Sequence, residues 1–369
     1  MKLMKLLLAA QNLDRCVKTP TAAQLGQTIP DLSHDISTGA VNNLSWPKAT
    51  LFAFVVCSLA MSGCSSMSAR YLKLGLPVVY ENADTLISWQ ADQYFDLTKE
   101  QIAWLDQQVE QQQAWHRKTQ LPRYAATLGE ISAAATERNI VPADLTSVQA
   151  KVRDWIDDTS RQGIGVMADL FLRVSDQQIA HFRERIDELN AKTAQEDADI
   201  SPQEKREMVV ESMVDRYADM IGPLSSAQMG AINRTAVALL PEGEHRLAYW
   251  RRWQGELFGL LARRRSMHSC FTTQLAQMAG NRERWYTPEL RRIRAYNQKL
   301  QQDLAVTILT TLTPVQRRKF AQRAGEWSQL FAGLARKDVN DIAQAQPTAF
   351  NDSCSDAAMT THGVVAAGS

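Results

Sequence analysis

A chain of 369 residues with 41 Lys/Arg against 40 Asp/Glu is nearly neutral and long enough for one large domain or two ordinary ones. The balance hides an asymmetry, since residues 64–233 carry 17 basic against 26 acidic side chains and residues 234–337 carry 19 against 7. Such halves read first as complementary to one another and second as a basic surface for an anionic partner.

Residues 1–47 form a polar leader in which Leu6–Ala10 starts like a hydrophobic segment and stops at Gln11-Asn12. It is kept out of the fold argument, and translation is expected to begin near Val41 or Leu44. Residues 48–63 read as a secretory signal. Lys48 precedes an apolar run that ends at Leu59-Ala60-Met61-Ser62-Gly63-Cys64, and the run falls short of the roughly 20 apolar residues a bilayer span needs. That ending resembles a bacterial lipobox. The Cys64 thiol is the expected acceptor of a diacylglyceryl group, and its freed amine of a further acyl chain. Residues 64–70 become a lipidated tether whose Ser65–Ala69 link, at about 3.5 Å per residue, holds the body within roughly 20 Å of the lipid. Ser65 rather than Asp after the cysteine, by resemblance to lipoprotein sorting, implies an outer-membrane protein facing the periplasm. The partners expected are the membrane, through the lipid, and other envelope proteins. That compartment argues against nucleic acid.

From 71 to 337 one local signal recurs: an apolar residue, Ser or Thr, two residues, then Gln or Glu. It stands at Leu97–Gln101, Leu145–Gln149, Val174–Gln178, Ile200–Glu204, Leu224–Gln228 and Leu312–Gln316. This is the capping box, in which the hydroxyl accepts a free amide and the Gln or Glu reaches back. Pro202 and Pro314 sit where a missing N–H costs nothing, and Thr287-Pro288-Glu289 is a partial copy. Between these starts the apolar period is helical, as in Val209, Met213 and Tyr217, or Leu247, Trp250, Leu257 and Leu261. The expected fold is all-α, an irregular antiparallel array of roughly ten helices over 71–337. Residues 338–369, without apolar period, read as a disordered tail.

Chemistry-bearing residues concentrate near the start of this domain. Trp89, Asp92, Asp96, His116 and Tyr124 form the candidate functional cluster. Two aspartates four apart with a histidine suit acid–base work or a metal; the plainer reading has the aspartates ending one helix while aromatic residues pack a corner. Glu81–Asp84 through Trp89, Asp92 and Tyr94–Thr98 resembles a family of Gram-negative lipoproteins known only as a domain of unknown function. Trp115-His116, Leu121–Tyr124, Arg252–Gln254 and Leu260–Arg264 match it too. The resemblance implies an anchored envelope protein and nothing catalytic.

The segment His245–Arg265 mixes aromatic residues with arginines, and Arg251, Arg252, Trp253, Arg263 and Arg264 are the candidate contacts to an anionic surface. The favoured reading is a core helix with Leu247, Trp250, Leu257 and Leu261 inward. Cys270 and Cys354 are expected to stay unbridged, one packed and one in the tail. No nucleophile elbow, phosphate loop or His-Glu-x-x-His is present, and no cofactor or metal is expected. The function expected is a non-enzymatic scaffold or interaction protein. The alternative is a chaperone-like binder of unfolded envelope proteins, from a looser likeness of Leu-Thr-x-x-Gln to the short motif of small periplasmic helical chaperones.

Overall fold

The computed structural model describes residues 76–336 together with Cys354. The leader, signal segment, Cys64, the tether and the tail expectation lie outside the described residues, apart from Cys354. Residues 76–81 are helical and turn at Asn82 into α1 (Ala83–Phe95). There follow α2 (Lys99–Thr119), α3 (Leu121–Glu137), α4 (Pro142–Arg173), α5 (Asp176–Asp199) and α6 (Pro202–Ile221). The chain continues through α7 (Ser226–Ala238), α8 (Gly243–Arg263), α9 (His268–Gly280), a 3₁₀ turn (Arg282–Trp285), α10 (Pro288–Thr310) and α11 (Pro314–Ala335). Among the described residues there is no strand, and the fold is all-α as the capping pattern requires.

Five of the six expected boxes form with both hydrogen bonds. Thr98 starts α2, Ser175 α5, Ser201 α6, Ser225 α7 and Thr313 α11, each hydroxyl accepting the N–H three residues on. Leu97 and Val174, the apolar residues ahead of two caps, are buried beside Ile102 and Ile179. The sixth copy, Leu145–Gln149, is a correction. It lies inside α4, which starts at Pro142, and Thr146 donates to the Pro142 carbonyl instead of capping. Asp144 is the reason. Its carboxylate accepts the Val141 N–H at 2.9 Å and grips Arg138 with both oxygens at 2.7 Å, starting the helix one turn early.

Three cores share the helices. The first, with Phe95, Leu105, Phe171, Phe182, Leu257 and Phe271, lies among α1, α2, α4, α5, α8 and α9. Here α5 runs antiparallel to α8, with the Phe182 and Phe258 rings 5.4 Å apart and Asn190 bonded to Gln254. The second, with Met213, Ile221, Ile232, Ile308 and Phe320, lies among α6, α7, α10 and α11. The third joins Tyr80, Leu121, Tyr124 and Leu334 and ties both ends of the described chain together. Burying each large side chain contributes about 1.5–3 kcal/mol against leaving it in water.

The closest helix pairing is α3 against α11. Ser132 Oγ donates to the Ala321 carbonyl at 2.8 Å and Ser328 Oγ to the Ala125 carbonyl at 2.7 Å, which fixes an antiparallel register. The backbones approach because Gly129 and Gly325 face the partner. A Cβ on Gly325 would stand 3.1 Å from Ser132 Oγ, and one on Gly129 3.5 Å from Ser328 Oγ. Both helices carry the same pattern, Ala-x-x-x-Gly-Glu-x-Ser, at 125–132 and 321–328. Each serine thus reaches over the other helix's glycine to the backbone beyond it.

Candidate functional site

The candidate cluster near the start of the domain divides between the two ends of the α1–α2 hairpin. At one end Asp92 Oδ1 accepts the Leu97 N–H at 2.9 Å, closing α1. Asp96 takes the left-handed conformation (φ 51°), which a short polar side chain tolerates. At the other end His116 is buried. Its Nδ1 lies 3.0 Å from Tyr80 Oη and its Nε2 3.3 Å from Tyr124 Oη, so one ring nitrogen donates and the other accepts. Thr98 and His116 bound nearly the whole of α2, which puts roughly 27 Å between the two ends at 1.5 Å per residue. The reading of Asp92, Asp96 and His116 as one acid–base or metal site therefore fails on distance. Trp89 stands between the two ends, exposed on α1.

The His116 end is a structural knot. Burial holds the imidazole neutral, its pKa pulled down to about 3, with Arg117 adding to the shift, and burial pushes the Tyr80 phenol up. Arg117, the next residue along α2, is itself buried. It pairs with Glu81 at 2.9 Å, donates to the Leu334 carbonyl at 3.0 Å and lies over the Tyr80 ring. A cavity of about 40 Å³ opens beside it between α1, α2 and α4, lined by Tyr80, Ile87, Val109, His116, Thr159 and Gln162. That is room for one or two waters.

The glutamines of the capping boxes do more than cap. Gln101 and Gln178 face each other and exchange amide hydrogen bonds at 3.1 and 2.7 Å. Each uses its second N–H on the carbonyl ending the other's hairpin, Gln101 on Arg173 and Gln178 on Asp96. Gln228 and Gln316 repeat the exchange at 3.1 and 2.8 Å, and Gln316 also donates to the Pro223 carbonyl. Two clasps thus join hairpin α1–α2 to α4–α5, and α6–α7 to α10–α11. The glutamine of the Leu-Thr-x-x-Gln copies at 97 and 312 is occupied in these clasps.

The candidate anionic-surface residues also separate. Trp253 and Arg264 point into the protein, 4% and 2% exposed, and so cannot meet a surface. The core reading of α8 holds. Arg264 closes the end of α4, donating to the carbonyls of Phe171 and Val174 at 2.9 and 3.1 Å, and reaches Asp176 at 2.5 Å. This answers the unpaired carbonyls that every helix end leaves, and Arg264 holds the Asp176 carboxyl below its usual range. Arg263 turns back to the Gly259 carbonyl, while Arg251 and Arg252 are exposed.

Cys270 and Cys354 form a disulfide with their Cα atoms 5.5 Å apart, which corrects the expectation of two unbridged thiols. The expectation rested on a loose tail, and nothing in the local pattern around Cys354 announced that it would return to α9.

No curated protein and no solved structure matches the chain. A family model described as a family of unknown function (DUF6279) matches residues 93–291, from the end of α1 into α10. The buried aromatic and arginine contacts of α1, α2 and α8 fall within or beside this stretch, and the chain belongs to that family.

Proposed function

We infer that the protein is a lipid-anchored component of the Gram-negative envelope, held to the outer membrane through Cys64 and serving as a non-enzymatic scaffold or interaction module facing the periplasm. The observation that carries this reading is the Cys270–Cys354 bridge. Stable structural disulfides belong to oxidising compartments. Of the three cysteines after Gly63, two are joined and Cys64 alone is left over, at the end of the lipobox-like segment. The separation of Asp92 and Asp96 from His116 supports a scaffold over a hydrolytic or metal centre at that cluster. What the helices present instead is a body cross-tied by two glutamine clasps and a serine–glycine seam, suited to holding a fixed surface.

Mass spectrometry of the native mature N-terminus tests the anchor. The expected result is an acylated peptide beginning at Cys64, with Cys64→Ala releasing a folded, soluble protein. An unmodified peptide running through Gly63-Cys64 in the mature protein would overturn it. For the scaffold role, cross-linking of the native protein in envelopes is expected to give one reproducible partner that is lost in Cys64→Ala. A broad set of unrelated proteins retained by the variant would refute it.

A further inference from the structure

Three exposed arginines of the basic stretch meet at a place the linear sequence does not announce. Arg252 on α8 donates from Nη1 to the Trp285 carbonyl at 3.1 Å, and Arg291 on α10 donates from Nη2 to the Glu283 carbonyl at 3.1 Å. Both acceptors lie in one 3₁₀ turn, Arg282–Trp285, two residues apart, and Arg284 stands on the same turn with its guanidinium beside the Trp285 ring. With about 2 Å of rise per residue in such a turn, the anchored nitrogens of Arg252 and Arg291 lie within roughly 12 Å of one another. Arg252, Arg284 and Arg291 are all exposed. Among the described residues no carboxylate reaches ion-pair distance of Arg252 or Arg291. Glu289, on the first turn of α10, is taken by Arg292, and Glu283 lies on the 3₁₀ turn itself.

This turn is tied to the core. Trp285 is buried in the first core, and Tyr286 packs edge-on against buried Tyr249 while bonding Arg294. An exposed guanidinium that spends one N–H on a carbonyl has further donors in its planar fork, a geometry that suits phosphate. We propose that the Arg252–Arg284–Arg291 turn docks the protein body onto an anionic phospholipid surface. The proposal rests on the anchored reading for its partner. From Cys64 to Leu76 the chain reaches at most about 40 Å, so the lipid keeps the body beside a leaflet whose phosphates complement the turn.

The test uses full-length protein carrying Cys64→Ser, so that no acyl chain contributes, with vesicles of phosphatidylethanolamine alone or mixed with phosphatidylglycerol. Binding is expected to the mixed vesicles only and to weaken with added salt. An arginine near such a surface is worth about fivefold, so Arg252→Gln, Arg284→Gln and Arg291→Gln together should lose on the order of a hundredfold. The same three changed to Lys keep the charge but lose the guanidinium fork, and should bind more weakly than the wild type and more tightly than the Gln variant. A control of equal charge, Arg153→Gln, Arg161→Gln and Arg206→Gln, should lose little, and unchanged melting curves check that each variant folds. Equal loss in the control, no preference for the anionic vesicles, or capture by dextran sulfate without vesicle binding would overturn the proposal. Acylation is read separately at the N-terminus, so failure of the anchor and failure of the arginine turn give different results.

Discussion

Acidification should weaken the fold through His116 by an amount that can be worked out in advance. The ring is buried and neutral, with both nitrogens engaged by Tyr80 and Tyr124, and its pKa falls from 6.5 to about 3. A depressed pKa means that the unfolded chain binds the proton first. The contribution is therefore complete above about pH 6.5, and it declines as pH falls toward the folded value. At about pH 5 the unfolded state has gained roughly 1.5 pH units of protonation free energy while the folded ring is still neutral. At 1.36 kcal/mol per unit this is a loss of about 2 kcal/mol relative to about pH 7.5. The figure depends on the unfolded pKa and is insensitive to the folded one while that stays well below 5. The assay is urea unfolding followed by circular dichroism across this range, comparing the wild type with His116→Gln. An amide can keep a bond to at least one tyrosine but cannot titrate. The variant should start less stable, and the gap should shrink by about 2 kcal/mol on acidification. Parallel curves would refute the buried neutral histidine.

Three further outcomes follow from the packing. Gly325→Ala should cost about 1–3 kcal/mol, because its Cβ would meet Ser132 Oγ at 3.1 Å and push it from the Ala321 carbonyl, whereas Gly259→Ala on α8, with open space, should gain up to about 1 kcal/mol; equal melting shifts would sink the distinction. Gln101→Glu keeps the capping box but loses both N–H donations of the clasp, a cost of about 1–3 kcal/mol by denaturant midpoint, while Glu204→Gln in an unclasped box should stay within about 0.5 kcal/mol. Cys354→Ser opens a bridge spanning 84 residues and should cost roughly 4–5 kcal/mol in the chain-entropy account; a melting curve unchanged by reductant would contradict the bridge.

Local signals carried most of the fold. A Ser or Thr three residues before a Gln or Glu marks five helix starts because the box is made within four residues. It misplaced α4 because Pro142 and Asp144 supply a competing start just upstream. The choice between Gln and Glu in these boxes was equally visible and its meaning was not. The four clasped boxes use Gln, which has two N–H groups to spare, and the box of α6, which joins no clasp, uses Glu204. Contacts between distant segments stayed hidden. Ala-x-x-x-Gly-Glu-x-Ser appears twice, but only the fold sets one copy against the other. Arg263, Arg264 and Arg265 look alike in the chain, yet the phase at the end of α8 sends Arg264 alone into the core. The same blindness left a five-residue aromatic and acidic cluster open to reading as one site, which a helix's length divides, while the plainer reading of aspartates that end a helix holds.

The seam between α3 and α11 sets a condition on how the molecule is made. Their contacting residues lie nearly 200 positions apart, and at about 5–20 residues per second α3 emerges some 10–40 s before its partner exists. Through that interval the glycine-bearing face of α3 has nothing to close against, and neither the third core nor the second clasp can form. The stretch matched by the family model, 93–291, ends before α11 and so leaves out the partner of α3. A chain trimmed to that stretch would leave the α3 seam open, whereas one carried through Ala335 would close it.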